Sequence, residues 1–190
     1  MAITLLQLQS DVEVRKLLAW PFDFELPTAP VKADWFQVMP KAETSVIAQD
    51  GTGGLFLLYG TEQYLLHITS EGAAGVIARN LTEGIELMVA HPEWRDLLKF
   101  SAGGKLAAMK RAQSHFETEL HEEEPDIDGC RSILKERLCL SESGDHIAAL
   151  HRAVSDLGKG ITIIAPDGTE FDSLFNTFSV KSKPNWNEGE

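Results

Sequence analysis

The chain has 190 residues, 43% of them hydrophobic, and carries 29 acidic against 17 basic side chains, a formal net charge of −12. That length and apolar content suffice for a buried core without disulfide or metal staples, so a single domain over residues 1–178 with a polar tail at 179–190 is expected. The negative field argues against nucleic acid as a partner, because phosphates are repelled, and favours a basic partner; it also serves plain solubility.

Cys130 and Cys139 show no metal-ligand spacing and are too few for a disulfide framework, which points to a reducing cytoplasmic setting. The opening MAITLLQLQSDVEV lacks the basic lead and long apolar core of a signal peptide, and no apolar run approaches the ~20 residues of a membrane helix.

From Ile3 to Trp20, Leu5, Leu8, Val12 and Trp20 fall near helical spacing and Leu17 and Leu18 thicken the stripe, so one amphipathic helix is expected. Pro21, Pro27, Pro30 and Pro40 then break regular structure, and the Trp35-Phe36 pair between them is expected to pin this loop to the core. The next stretch, SVIAQDGTGGLFLLYG from Ser45 to Gly60, places two strand-length apolar runs on either side of Asp50, Gly51, Thr52, Gly53 and Gly54. A phosphate-cradling loop needs a helix after it and usually a Lys with Ser or Thr, whereas here Leu55 to Tyr59 is a short run closed by Gly60. The stretch therefore reads as a hairpin with a structural turn.

Strands are expected near 44–49, 54–59, 63–68 and 75–78, with turns at Thr61-Glu62 and Ser70-Glu71-Gly72, and spacing this close requires antiparallel neighbours. At Asn80 the period becomes helical: Asn80 is placed to cap, Glu83 lies three residues on, and Leu81, Ile85, Met88 and Val89 form a stripe that ends before Pro92. A short helix from Glu93 to Phe100 buries Trp94, Leu97 and Leu98, and Ser101-Ala102-Gly103-Gly104 stops it.

The pattern is again helical from Lys105 to about Leu120. It runs into seven acids within twelve residues: Glu117, Glu119, Glu122, Glu123, Glu124, Asp126 and Asp128. Such a run is a solvated helix end and linker or a surface that meets a basic partner. Helices follow near 127–139 and 144–157. A strand from Ile161 to Ala165, the Pro166-Asp167-Gly168 turn and a return strand from Thr169 toward Phe178 are expected to close the sheet as a second hairpin, with a fraying tail beyond.

Motifs that carry chemistry are few. There is no nucleophile elbow, H-E-x-x-H helix, Walker loop or dinucleotide fingerprint. His115 and Glu119 share a helix face and His121 precedes three glutamates, but a third ligand at sensible spacing is lacking, so these read as surface histidines and no metal or cofactor is assigned. His146 and His151, five apart, do not share a helix face. Cys139, on a leucine-rich helix, reads as a small core residue rather than a nucleophile.

Taken together, AQDGTGGLFLLYG, SEGAAGVIARNLTEGIELMVAHPEWRDLLKFS and the later DHIAALHRAVSDLGKGITIIAPDGTEFDSLFNTF resemble the SUKH superfamily, whose bacterial members include many immunity proteins encoded beside polymorphic toxins. What resembles is the order of hairpin, Ser-Glu-Gly turn, capped helix, Trp-Arg helix and PDG turn, over about half the chain. One departure is Gly84, where such proteins commonly carry Phe, and the segment from Lys105 to Ser143 has no counterpart. The resemblance implies an α+β domain, a mostly antiparallel sheet with surrounding helices, that is not an enzyme and neutralises a basic, nuclease-type toxin by direct binding. On that reading Glu117, Glu119, Glu122, Glu123, Glu124 and Asp126 are the expected contact residues, and Asp50, Gly51, Gly53 and Gly54 serve only the turn. Two alternatives stay open: a regulatory or scaffolding member of the same superfamily, and a metal-dependent hydrolase using His115, His121 and nearby acids.

Overall fold

The computed structural model describes residues 2–141, 143–183 and Trp186. The first amphipathic stretch forms two helices, α1 (Leu5–Ser10) and α2 (Val12–Ala19), and not one. Asp11 separates them in an extended conformation, and its side chain accepts the N–H groups of Glu13 and Val14 at 2.9 and 3.1 Å. This is an N-cap placed inside an uninterrupted helical period. The break resets the helical phase, so Leu8, Val14 and Leu18 are buried while Val12 and Trp20, expected on the apolar stripe, are left exposed.

Phe36 and Trp35 do pin the proline-rich segment, edge to face at 4.8 Å, with Trp35 stacked on Phe171 at 6.0 Å. They lead into β1 (Gln37–Met39). Strands β2 (Thr44–Gln49), β3 (Leu55–Tyr59), β4 (Tyr64–Ile68) and β5 (Ala73–Ala78) then make the expected antiparallel meander. Both faces of this sheet are covered, which explains why its strands read as continuous apolar runs. Phe56, Leu65 and Ile77 pack toward the helices, while Leu55, Leu57, Leu66, Ile68 and Val76 pack with Phe36, Val38 and Ile163. Full burial of each such side chain contributes about 1.5–3 kcal/mol.

Helix α3 (Leu81–Ala90) starts where Asn80 Oδ1 accepts the Glu83 N–H at 2.9 Å, as the sequence indicates. The Glu83 carboxylate reaches back to the N–H of Arg79, at 3.4 Å, one residue beyond the usual capping-box position. Gly84 sits in close approach to β4: a Cβ there would lie 2.2 Å from Leu65 Cδ2, so a larger residue needs that side chain to shift. Helix α4 (Trp94–Lys99) buries Trp94, Leu97 and Leu98. At its end the buried Ser101 hydroxyl donates to the Asn176 carbonyl at 2.9 Å and accepts from the Gly104 N–H at 3.0 Å.

Helices α5 (Leu106–Glu123), α6 (Ile127–Leu138) and α7 (His146–Arg152) complete the layer, and α7 runs on into a π-helical turn, Ala153–Leu157. Cys139 is not a core residue. It ends α6 in the left-handed region at φ 52° and is exposed.

The last hairpin also differs from expectation. The turn itself forms, with the Ala165 N–H on the Thr169 carbonyl at 2.8 Å, but β6 (Thr162–Ile164) pairs with β1 in a separate two-stranded sheet. Beyond Phe171 the chain leaves β6, and β7 (Asp172–Ser173) joins the main sheet parallel to β5. The apolar pair Leu174 and Phe175 draws it there, since both pack against the helix-side core. The result is an α+β fold with a five-stranded, mostly antiparallel sheet ordered β2-β3-β4-β5-β7. No helix among the described residues is long and apolar enough to cross a membrane.

Candidate functional site

The Gly-rich hinge closes around the carboxylate of Asp50, which is only 4% exposed. Its Oδ1 accepts the Thr52 N–H, the Thr52 hydroxyl and the Gly54 N–H at 2.7–2.9 Å. Its Oδ2 lies 2.9 Å from His67 Nε2 and 3.2 Å from Arg95 Nη1. The glycines divide the work: Gly53 turns at φ 90°, and a Cβ on Gly54 would lie 2.4 Å from Asp50 Oδ2. Arg95 also bonds Asp23 at 2.5 Å, and Asp23 in turn accepts the Gly51 N–H at 2.7 Å. Burial works against the charge on Asp50, but the hydrogen bonds from His67, Thr52 and Gly54 outweigh it and hold the carboxyl far below the usual range.

His67 is itself pushed down by burial, so the ring is neutral at neutral pH and donates Nε2–H to the ionised carboxylate. It lies between Phe56 and Trp94 with ring centroids at 4.7 and 5.1 Å and is 1% exposed. With Asp23, Asp50, Thr52 and Arg95 it forms part of the wall of a cavity of about 450 Å³. This network ties the hinge, the loop after α2 and α4 into one unit.

The acidic run spreads over several surroundings. Glu117 is bound to Arg131, which is buried and offers Nη1 and Nη2 to its two oxygens at 2.6 and 3.0 Å. The same guanidinium donates to the carbonyls of Val89 and Ala90 at 3.2 and 3.1 Å, so it joins α3, α5 and α6. The bonds from Arg131 are also what hold the Glu117 carboxyl below its usual range. Glu119 accepts Lys183 Nζ at 2.8 and 3.0 Å and Trp186 Nε1 at 2.8 Å. The tail, expected to fray, therefore packs in its described part: Val180–Ser182 is a 3-10 turn, and the Trp186 ring lies against Phe100, Phe116 and His115. Glu122, Glu123 and Asp126 are exposed and Glu124 half-buried.

Three of these acids, Glu119, Glu123 and Glu124, line a groove of about 610 Å³. Its other wall comes from segments far apart in sequence, including Trp20 and Pro21 after α2, Glu93, Asp96 and Lys99 around α4, and Phe178. Backbone bonds from Ala102 to the Phe178 carbonyl and from Gly103 to that of Asn176, at 2.8 and 2.9 Å, bring the last of these into place. Five carboxylates and two lysines thus line the groove together with Phe100 and Phe116. Trp20 at 67% and Phe178 at 42% exposure are the aromatic members of the exposed large apolar side chains, and both lie on this groove. Asp96 meets solvent yet has protein on most sides, and this withdrawal from water pushes its carboxyl up.

Sequence reasoning reached Glu119, Glu123 and Glu124 through charge density, but not Trp20, Glu93, Asp96 or Phe178. The signal available was the spacing of two acids, Glu93 at the N-cap of α4 and Asp96 three residues on. Glu117, Glu122 and Asp126 do not line the groove.

Among the described residues the group that approaches metal-ligand geometry is Glu117, His121 and Asp128. Arg131 already binds both of its carboxylates, at 2.6 and 3.2 Å. Both His121 nitrogens are engaged too, with the Glu117 carbonyl at 2.8 Å and Asp128 at 3.1 Å. The guanidinium fills the cation position, so these residues do not fit a metal. Comparison with known proteins gives no match, whether to a family model, a curated protein or a solved structure.

Proposed function

We propose that the protein is a non-enzymatic binding module that neutralises a basic protein toxin through the acidic groove, the role that its resemblance to SUKH immunity proteins implies. The observation that carries this reading is the coincidence, on one groove, of five carboxylates with the exposed aromatics Trp20 and Phe178. Exposed aromatics beside unpaired charge are the usual anchors of a protein interface. Carboxylates occupy the positions that phosphates take on a nuclease, and their long-range field speeds encounter with a basic partner. Glu123 and Glu124 are the contact residues favoured from the acidic run, because Glu117 is held by Arg131 and Glu122 and Asp126 lie off the groove.

The test is co-expression with the product of the adjacent gene, which on this reading is a toxin. The wild-type chain restores growth and co-purifies with that product, and the Glu123→Lys/Glu124→Lys variant does neither. Failure of the wild type to rescue or bind the neighbouring product contradicts the reading.

A further inference from the structure

Two halves of the groove are built alike but filled differently. On the α5 side the chain's own Lys183 occupies the site: its ammonium meets Glu119 and lies 4.4 Å from the Trp186 ring centroid and 5.1 Å from that of Phe116. A carboxylate beside aromatic faces is a general receptor for cations. On the α4 side the same elements recur. Glu93, 8% exposed, accepts from His91 Nδ1 through Oε1 at 3.1 Å, while its Oε2 is buried and meets no donor among the described residues. Asp96 lies one helical turn further on, on the same face, and the exposed Trp20 forms the rim.

Of the cations nearest in sequence, one is held away from the groove and the other lies on it, over Phe178. Arg95 bonds Asp23 and Asp50 on the hinge side, and Lys99 lies 5.8 Å from the centroid of Phe178. A buried carboxylate oxygen without a protein donor is open to a water or to a hydrogen-bonding cation from outside. Resting on the reading of the groove as a basic-partner site, we infer that its α4 half binds one arginine side chain of the partner, the guanidinium donating to Glu93 Oε2 and Asp96 and lying against Trp20. Arginine fits better than lysine on three grounds. Its guanidinium is weakly hydrated and so loses less on entering a site behind the rim, its five donors serve two carboxylates at once, and its plane stacks on an indole.

The probes are Nα-acetyl-arginine amide and Nα-acetyl-lysine amide, titrated into the whole chain and followed by the NMR signal of the Trp20 indole N–H. The arginine probe shifts that signal saturably and the lysine probe binds more weakly. Glu93→Gln, which keeps the shape of the buried side chain, and the solvent-accessible Asp96→Asn each weaken arginine binding about tenfold, as loss of a charged hydrogen bond predicts. Glu122→Gln, off the groove, leaves it unchanged. Equal binding of the two probes, no saturable shift, or wild-type affinity in a folded Glu93→Gln or Asp96→Asn variant overturns the assignment. If it is overturned while Glu123→Lys/Glu124→Lys still abolishes rescue, the basic-partner reading stands without the arginine site; if both sets of variants are silent, that reading falls as well.

Discussion

Asp50 gathers five hydrogen bonds onto one carboxylate, and its neighbour His67 is neutral because burial disfavours its charge. Asp50→Asn removes the charge opposite Arg95 and puts an N–H₂ group where donors converge. Breaking a buried pair in this way costs about 3–5 kcal/mol, to be read from urea unfolding. The two groups act in the same direction with pH, in separate windows. His67 takes up its proton more readily in the unfolded chain, so its contribution is complete above its ordinary value of 6.5 and shrinks as pH falls below it. Asp50 is depressed when folded, so its contribution is present above its ordinary 3.8 and is lost as pH falls through the folded value. His146, also pushed down by burial, adds to the first window, whereas the exposed His121, pushed up by its bonds to Glu117 and Asp128, opposes it. Unfolding free energies measured from pH 7.5 to 5.5 should therefore fall less in His67→Gln than in the wild type; an identical slope contradicts a buried neutral imidazole. In the sequence the Asp-Gly-Thr-Gly-Gly run announces the turn, but not that Asp50 is its centre, because His67 and Arg95 arrive from 17 and 45 residues away.

Arg131 holds three helices at once. It satisfies two carbonyls at the end of α3 from α6 and pairs with Glu117 on α5. Arg131→Ala leaves those carbonyls without a donor and Glu117 without its cation, and should cost about 3–5 kcal/mol. Arg131→Lys restores only part of this, since one ammonium cannot reproduce the bidentate geometry; full recovery of stability with lysine contradicts the geometry described. Elements whose cause is local were legible: the meander, from apolar runs between turn residues, and α3, from Asn80 and Glu83. Those decided by distant contacts were not. The helical period runs through Asp11, so the cap that splits α1 from α2 looks like one more polar position. The partners of β6 and β7 are β1 and β5, chosen by the packing of Phe171, Leu174 and Phe175 and not by the turn that joins them.

At the scale of the whole molecule, a net charge of −12 gives a field that any basic protein feels, and on the proposed reading the groove is where that field acts. Three members of the acidic run, Glu119, Glu123 and Glu124, line the groove. The opposite wall was hidden, since Trp20, the α4 residues Glu93 and Asp96, and Phe178 come from three segments far apart in sequence, the last placed by the chain's return past Ser101. Field and site are separable with two variants of equal charge change, Glu123→Lys/Glu124→Lys in the groove and Glu122→Lys/Asp126→Lys outside it. The most direct measurement is the association rate of each with the purified product of the adjacent gene, at low and at physiological salt. A steered encounter should be about tenfold or more faster at low salt for the wild type. The groove variant should associate more slowly, with a flatter salt dependence and faster dissociation, while the outer variant keeps the wild-type dissociation rate. Equal effects of the two variants on dissociation would contradict the groove as the contact site.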